Sequence, residues 1–247
     1  MQRRGEEHAL DVEKSMLRLH ESCRRHIEQA TSADRTGIGR VLHLEADLAT
    51  WLEVLEPRPE VRQLQSAHRD FGFGFYAAMT GLYRQAFSSL RSFLEVSVGA
   101  AFLSAHELRR RQWVDGVIDI SWSAITSTDE GLYSPAFLKQ FCPESMDERG
   151  EMLQAVKESY RECSEYIHGN VSTSELLPQS ISYKGAIVSE WIMAAESTLS
   201  SVLYCFMIRY YKDLESSAKG SVEGLIEDHF SHLVSARYLL GLPVEGQ

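Results

Sequence analysis

Arg161 and His168 are the residues of this chain whose types and spacing most readily support chemistry. They stand in YRECSEYIHGN, residues 160–170, with six residues between them. Seven positions make nearly two helical turns, so in a helix both side chains leave one face, roughly 10 Å apart along the axis. Ser164 and Glu165 lie between them on that face, and Gly169 directly after His168 suits a helix C-terminus. The partial negative charge of a helix end favours a protonated imidazole. His168 could therefore give and take protons, while Arg161 offers a planar fork of donors to a phosphate. The plainer reading is a helix-capping histidine beside a surface arginine.

Other candidates surround this pair. Arg91 and Glu95 lie four apart in LYRQAFSSLRSFLE and share a helix face. Inside an apolar helix they are costly unless paired. They read either as an ion pair that fixes a bundle or as members of the cleft that holds Arg161 and His168. Arg84 lies earlier on the same side and could extend a basic strip. The run Arg109-Arg110-Arg111 could hold an RNA backbone or form a solvated basic turn. His229 and His232, with Glu227 nearby, are zinc-ligand types. No third ligand is clear, so no metal site is expected. Glycine-rich phosphate loops, GxSxG and HExxH patterns are absent, and no cofactor is expected.

Composition bounds these readings. The chain has 247 residues, is 44% hydrophobic and 24% charged, and carries a formal net charge of -10. That is an ordinary globular balance with enough apolar residues for a core. The negative charge argues against broad affinity for nucleic acid, which rests on neutralising phosphates. It leaves room for a local basic site. Cys23, Cys142, Cys163 and Cys205 are scattered without metal-ligand spacing and read as free thiols in a reducing compartment. The N-terminus is charged and unlike a signal peptide. No uninterrupted apolar run reaches the roughly 18 residues of a membrane span. A cytoplasmic protein without membrane contact is expected.

The elements that would position these residues are helices. Apolar residues recur at three- and four-residue steps over 6–30, 38–55, 61–105, 147–168, 186–214 and 221–240. TSADRTGIG separates the first two stretches, and Pro57 and Pro59 end the second. Near Thr80-Gly81 the third either stops or bends. Residues 106–146 read as short helices and loops, because turn residues recur every few positions. Trp51, Trp113, Trp122 and Trp191 read as core aromatics, and Tyr210-Tyr211 as the edge of the core. No strand pattern is convincing.

YRECSEYIHGN, read with LYRQAFSSLRSFLE, resembles the HEPN superfamily of all-α proteins, in which an arginine is followed after four to six residues by a histidine. Leu90-Arg91 through Leu94-Glu95 is similar to the LLRxxLE helix of a prokaryotic HEPN-like family. Ser164, Tyr166, His168 and Gly169, with Asn170 closing the segment, are similar to that family's ending. The resemblance spans about residues 60–212. It implies a HEPN-like helical bundle at 59–214, with an N-terminal helical extension at 1–58 and a C-terminal helix and tail at 215–247. It further implies metal-independent RNA cleavage in a defence or toxin system. Arg161 would hold the phosphate and His168 would shuttle protons. Glu162, Ser164, Glu165, Tyr166, Asn170, Arg91 and Glu95 would support them, and Arg84, Arg109, Arg110 and Arg111 would bind RNA. A homodimer would bring two motifs together, one histidine as base and one as acid, with a sensor or antitoxin protein as a further partner. The pattern departs at Glu162, where active members commonly carry Asn, Asp or His. A carboxylate there either orients Arg161 or repels a phosphate. Loss of the chemistry would leave a non-catalytic module that binds a partner protein or a nucleotide.

Overall fold

Asp34 sets the first junction. Its carboxylate accepts a 2.8 Å hydrogen bond from the Gly37 amide, the contact that starts a helix. A Cβ at Gly37 would lie 2.2 Å from that carboxylate, so glycine is what lets the cap close. Helix α1 (Gln2–Ala33) and helix α2 (Arg35–Val54) are thus parted by one residue, not by the nine-residue break expected at TSADRTGIG. The computed structural model describes residues 2–167 and 175–244, with side chains from residue 11 onward.

After the turns around Pro57 and Pro59 come α3 (Val61–Thr80) and α4 (Tyr83–Leu103). Gly81 joins them at φ 90°, in the left-handed region. Its amide and that of Leu82 return to the last carbonyls of α3, which closes the helix. The chain therefore stops here and does not bend. Three short helices follow: α5 (Glu107–Val114), α6 (Trp122–Ile125) and α7 (Pro135–Phe141). Ser121 and Ser134 cap the last two with their hydroxyls. Then come α8 (Arg149–Ile167), α9 (Gly185–Tyr210), a 3-10 turn at Tyr211–Asp213, α10 (Ser216–Phe230) and α11 (Val234–Leu240). The single helix expected at 221–240 is two, parted at Ser231–Leu233. Among the described residues there is no strand, and the fold is all-α.

Helix α9 is the axis of the core. Every residue from Ser201 to Tyr210 is buried. Around it, Trp51 of α2 meets Phe206 edge-on at 6.1 Å, and Phe71 of α3 lies 6.2 Å from Trp191. Phe87 of α4 stacks on Tyr166 of α8 at 3.8 Å. Val222 and Ile226 of α10 join the same core. Burying one such side chain stabilises by roughly 1.5–3 kcal/mol, so α2 and α10 are structural members of the bundle. Helices α4 and α9 are long and apolar enough to cross a membrane by composition, yet 67% and 78% of those windows are buried inside the protein. Core helices pass the same test because their apolar faces are turned towards each other.

Cys142, Cys163 and Cys205 are buried and Cys23 is partly buried; all four are free thiols. Burial pushes the thiols of Cys142 up to about 11 and Cys163 up to about 12, so both are poor nucleophiles.

One buried cation tightens the far end of α9. Arg209 is 5% exposed and donates to Asp213 at 2.8 Å and to the Ser104 hydroxyl at 2.6 Å. Its guanidinium lies 4.2 Å from the Phe141 ring centroid. Burial opposes ionisation of Asp213, but hydrogen bonds and charge from Arg209 and Arg58 outweigh it and hold the carboxyl below its ordinary range. A depressed carboxyl stabilises the fold above its unfolded value, about pH 4, and that stability is lost as pH falls through the folded value. Asp213→Asn is therefore expected to cost about 1 kcal/mol at pH 7, a figure kept small because Asp213 is 44% exposed. The cost should shrink as pH falls below about 4 and through the folded value, as read by urea unfolding at pH 7 and at a series of acidic pH values.

Candidate functional site at helix α8

Helix α8 buries Val156, Ser159, Cys163 and Tyr166, a stripe with three- and four-residue steps that packs on α4 and α9. Ser159 meets Ser197 of α9 through their hydroxyls at 2.9 Å. Helical geometry then fixes the remaining faces at 100° per residue. Arg161 falls opposite the buried stripe and is exposed. Among the described residues its guanidinium has no hydrogen-bond or salt-bridge partner, and the charge of Glu162 acts on it from the adjacent position. His168 and Asn170 lie outside the described residues.

One flank of α8 carries the Arg91 cluster. Arg91 pairs within α4 with Glu95 at 3.3 Å. It also donates to the Tyr160 hydroxyl, and its guanidinium sits 4.4 Å from that ring's centroid. Trp122 of α6 stacks on the same ring at 4.2 Å. Desolvation, and then the nearby Glu95 charge, hold the Tyr160 phenol above its ordinary value, with Arg91 opposing. Arg91 and Glu95 thus lock α4 to α8, and Arg91 is spent on that contact. Ser164 turns its hydroxyl back to the Tyr160 carbonyl at 2.6 Å.

The other flank opens into a cavity of about 610 Å³ between α4, α8 and α9. Glu162, Glu165 and Tyr166 line it with Phe87, Glu190 and Met193. The Tyr166 hydroxyl donates to Glu190. Partial burial raises the Glu162 carboxyl above its ordinary range; the attraction of Arg161 opposes this, and the repulsion of Glu158 and Glu165 adds to it. Arg161 is not part of the lining. The three motif residues expected to support it therefore build a separate, acidic space, and such a space attracts cations and repels phosphate.

The remaining basic candidates are dispersed. Arg84 is exposed and lines a groove of about 460 Å³ against residues 177–181. Arg110 is largely buried, and Glu107 accepts hydrogen bonds from both Arg110, at 3.0 Å, and Arg111, at 2.6 Å. Of the three-arginine run, Arg109 alone lacks a partner among the described residues, and the run is a helix and not a turn. His229 parts company with His232: it binds Asp47 of α2 at 2.5 Å. His43, also on α2, lies beside the pair.

No family model, curated protein or solved structure matches this chain.

Two signals in the sequence pointed at residues the motif reading passed over. Glu190 is a charge inside the apolar run GAIVSEWIMAA, and Ser197 follows it two turns later on the same face; both line the acidic cavity. His43 and Asp47 stand four apart on an amphipathic helix, which puts them on one face.

Proposed function

We propose that this chain is a HEPN-type, metal-independent endoribonuclease that acts as a dimer, the effector of a prokaryotic defence or toxin system. Arg161 holds the scissile phosphate and His168 moves the protons. The observation that supports this reading is the position of Arg161: outward on α8, exposed, with its donors unused by any described residue. A guanidinium on the outward face of one helix makes no cleft by itself. A second copy laid against the same face would make one, with two arginines and two histidines around the phosphodiester. The RNA 2'-hydroxyl would attack phosphorus, one imidazole taking its proton and the other protonating the leaving oxygen. Arg161 would hold the charged oxygens through two parallel donors.

The test is cleavage of a labelled RNA by the purified chain in excess chelator, read as fragments ending in a 2',3'-cyclic phosphate. Absence of cleavage, with and without the products of neighbouring genes, sinks the reading.

A second reading is favoured by the carboxylates at 158, 162 and 165 around Arg161 and by Glu190 beyond them. This reading makes the bundle a non-catalytic module for a basic partner. Glu162→Gln separates the two. In a nuclease it removes a charge that repels phosphate and is expected to tighten RNA binding several-fold; in a docking module it leaves RNA unbound and weakens the basic partner.

A further inference from the structure

We propose a divalent transition-metal site, of the zinc type, formed by His43, Asp47 and His229, which clasps α2 to α10. The three ligand atoms lie within 4.8 Å of one another. The His229 Nε2 is 2.5 Å from Asp47 Oδ2, and the His43 Nε2 is 3.6 Å from the same oxygen. Both imidazoles thus aim a ring nitrogen at one carboxylate oxygen. Ligands about 2.0–2.2 Å from a tetrahedral ion stand roughly 3.3 Å apart. The observed spacings bracket that value, so shifts on the order of 1 Å would seat an ion. Two nitrogens and one oxygen, without sulfur, are a donor set for zinc and its neighbours and not for soft thiophilic metals.

The positions suit a clasp. Asp47 is buried, its side chain 8% exposed, and the His229 side chain is 16% exposed. A largely dry carboxylate with two imidazoles gains most from a cation that satisfies all three. His43 is open to solvent, its side chain 58% exposed, which leaves an entry path. The fourth place falls to water or to Asp228, whose Oδ2 is 3.3 Å from His43 Nε2. Helix α2 supplies its two ligands one turn apart, and α10 supplies the third from 182 residues further along the chain. An ion here would join the first and last parts of the bundle around α9. The site shares no residue with the proposed RNA chemistry, so each proposal can fail alone.

The test uses the full chain, stripped with chelator and then dialysed. Zinc at about a hundred times its Kd is expected to raise the Tm by about 5–10 °C and to be retained at one ion per chain. Co2+ should give the intense visible absorption of a four-coordinate site. His43→Ala, at an exposed position that should not disturb folding, is expected to abolish retention, absorption and Tm shift together. His232→Ala, three residues from His229, should leave all of them intact. If the parent chain retains no zinc and its Tm does not move, the trio is only a hydrogen-bonded pair with a bystander, and the proposal fails. It fails equally if His43→Ala binds as the parent does.

Discussion

Trp191→Ala is expected to lower stability by about 3–5 kcal/mol, among the largest single-residue losses in the bundle, with a fall in urea midpoint and no change in the slope. Trp191 is fully buried on α9, with Phe75 at 5.9 Å and Phe71 at 6.2 Å between ring centroids. Alanine would leave a cavity between α9 and α3, and the Phe71 and Phe75 rings would lose their contacts with the indole. Yet the indole is not an ideal occupant. Among the described residues its buried Nε1 has no hydrogen-bond partner, an unmade bond that costs about 1–3 kcal/mol. Trp191→Phe removes that donor together with part of the ring. The two effects oppose each other, and the variant is expected to lose about 1 kcal/mol or less. Equal damage from phenylalanine and alanine would show that the indole nitrogen is satisfied, for instance by a trapped water. The result bears on the site as well, because Glu190 precedes Trp191 and lines the acidic cavity. A repacked residue 191 would turn that carboxylate, which is also the acceptor of the Tyr166 hydroxyl.

Helices were legible in the sequence because their cause is local. The three- and four-residue steps of Leu82 to Phe102 and of Ile187 to Phe206 leave no other regular structure that buries those residues together. A stop was legible where one residue type dictates the backbone, as at Pro57, whereas at Gly81 a stop and a bend both stayed open until the left-handed glycine decided for the stop. Stops were misjudged where a side chain decided the matter: Asp34 restarts a helix through its own carboxylate, so TSADRTGIG lost one residue to the junction and not nine. The site was harder, because its partners are distant in sequence. Glu162 and Tyr166 could be named from a motif, but nothing near them in the chain announces Glu190 or Met193 across the cavity. His229 was seen with its neighbours His232 and Glu227, whereas the structure pairs it with Asp47, 182 positions earlier. Spacing along a helix shows which residues share a face; it does not show what that face meets. Arg91 illustrates the same limit. Its type and position suited a phosphate, and only the placement of Tyr160 and Trp122 reveals that it is engaged in joining α4 to α8.

His168→Ala is expected to reduce RNA cleavage by about 10²–10⁴-fold, the usual contribution of a positioned proton-transfer group, which corresponds to about 3–5 kcal/mol of barrier. Cleavage at the wild-type rate would place the chemistry elsewhere. The companion series at Arg161 separates charge from geometry. Arg161→Ala removes both, while Arg161→Lys keeps the charge and loses the planar fork. An intermediate rate for lysine is expected if the side chain holds a phosphate, and no difference among the three if it is a surface residue. The dimer is testable with the same variants. Chains that lack His168, mixed in excess with the parent and allowed to exchange, should silence it, because each mixed dimer keeps one imidazole where base and acid are both needed. Activity in simple proportion to the parent chain present would mean that each chain works alone and that the outward face of α8 has another use. Two imidazoles acting as base and acid further require a bell-shaped dependence of rate on pH, since one must be neutral while the other is charged. A single rise with pH, without a fall, would remove the second histidine from the mechanism and with it the reason for a second copy.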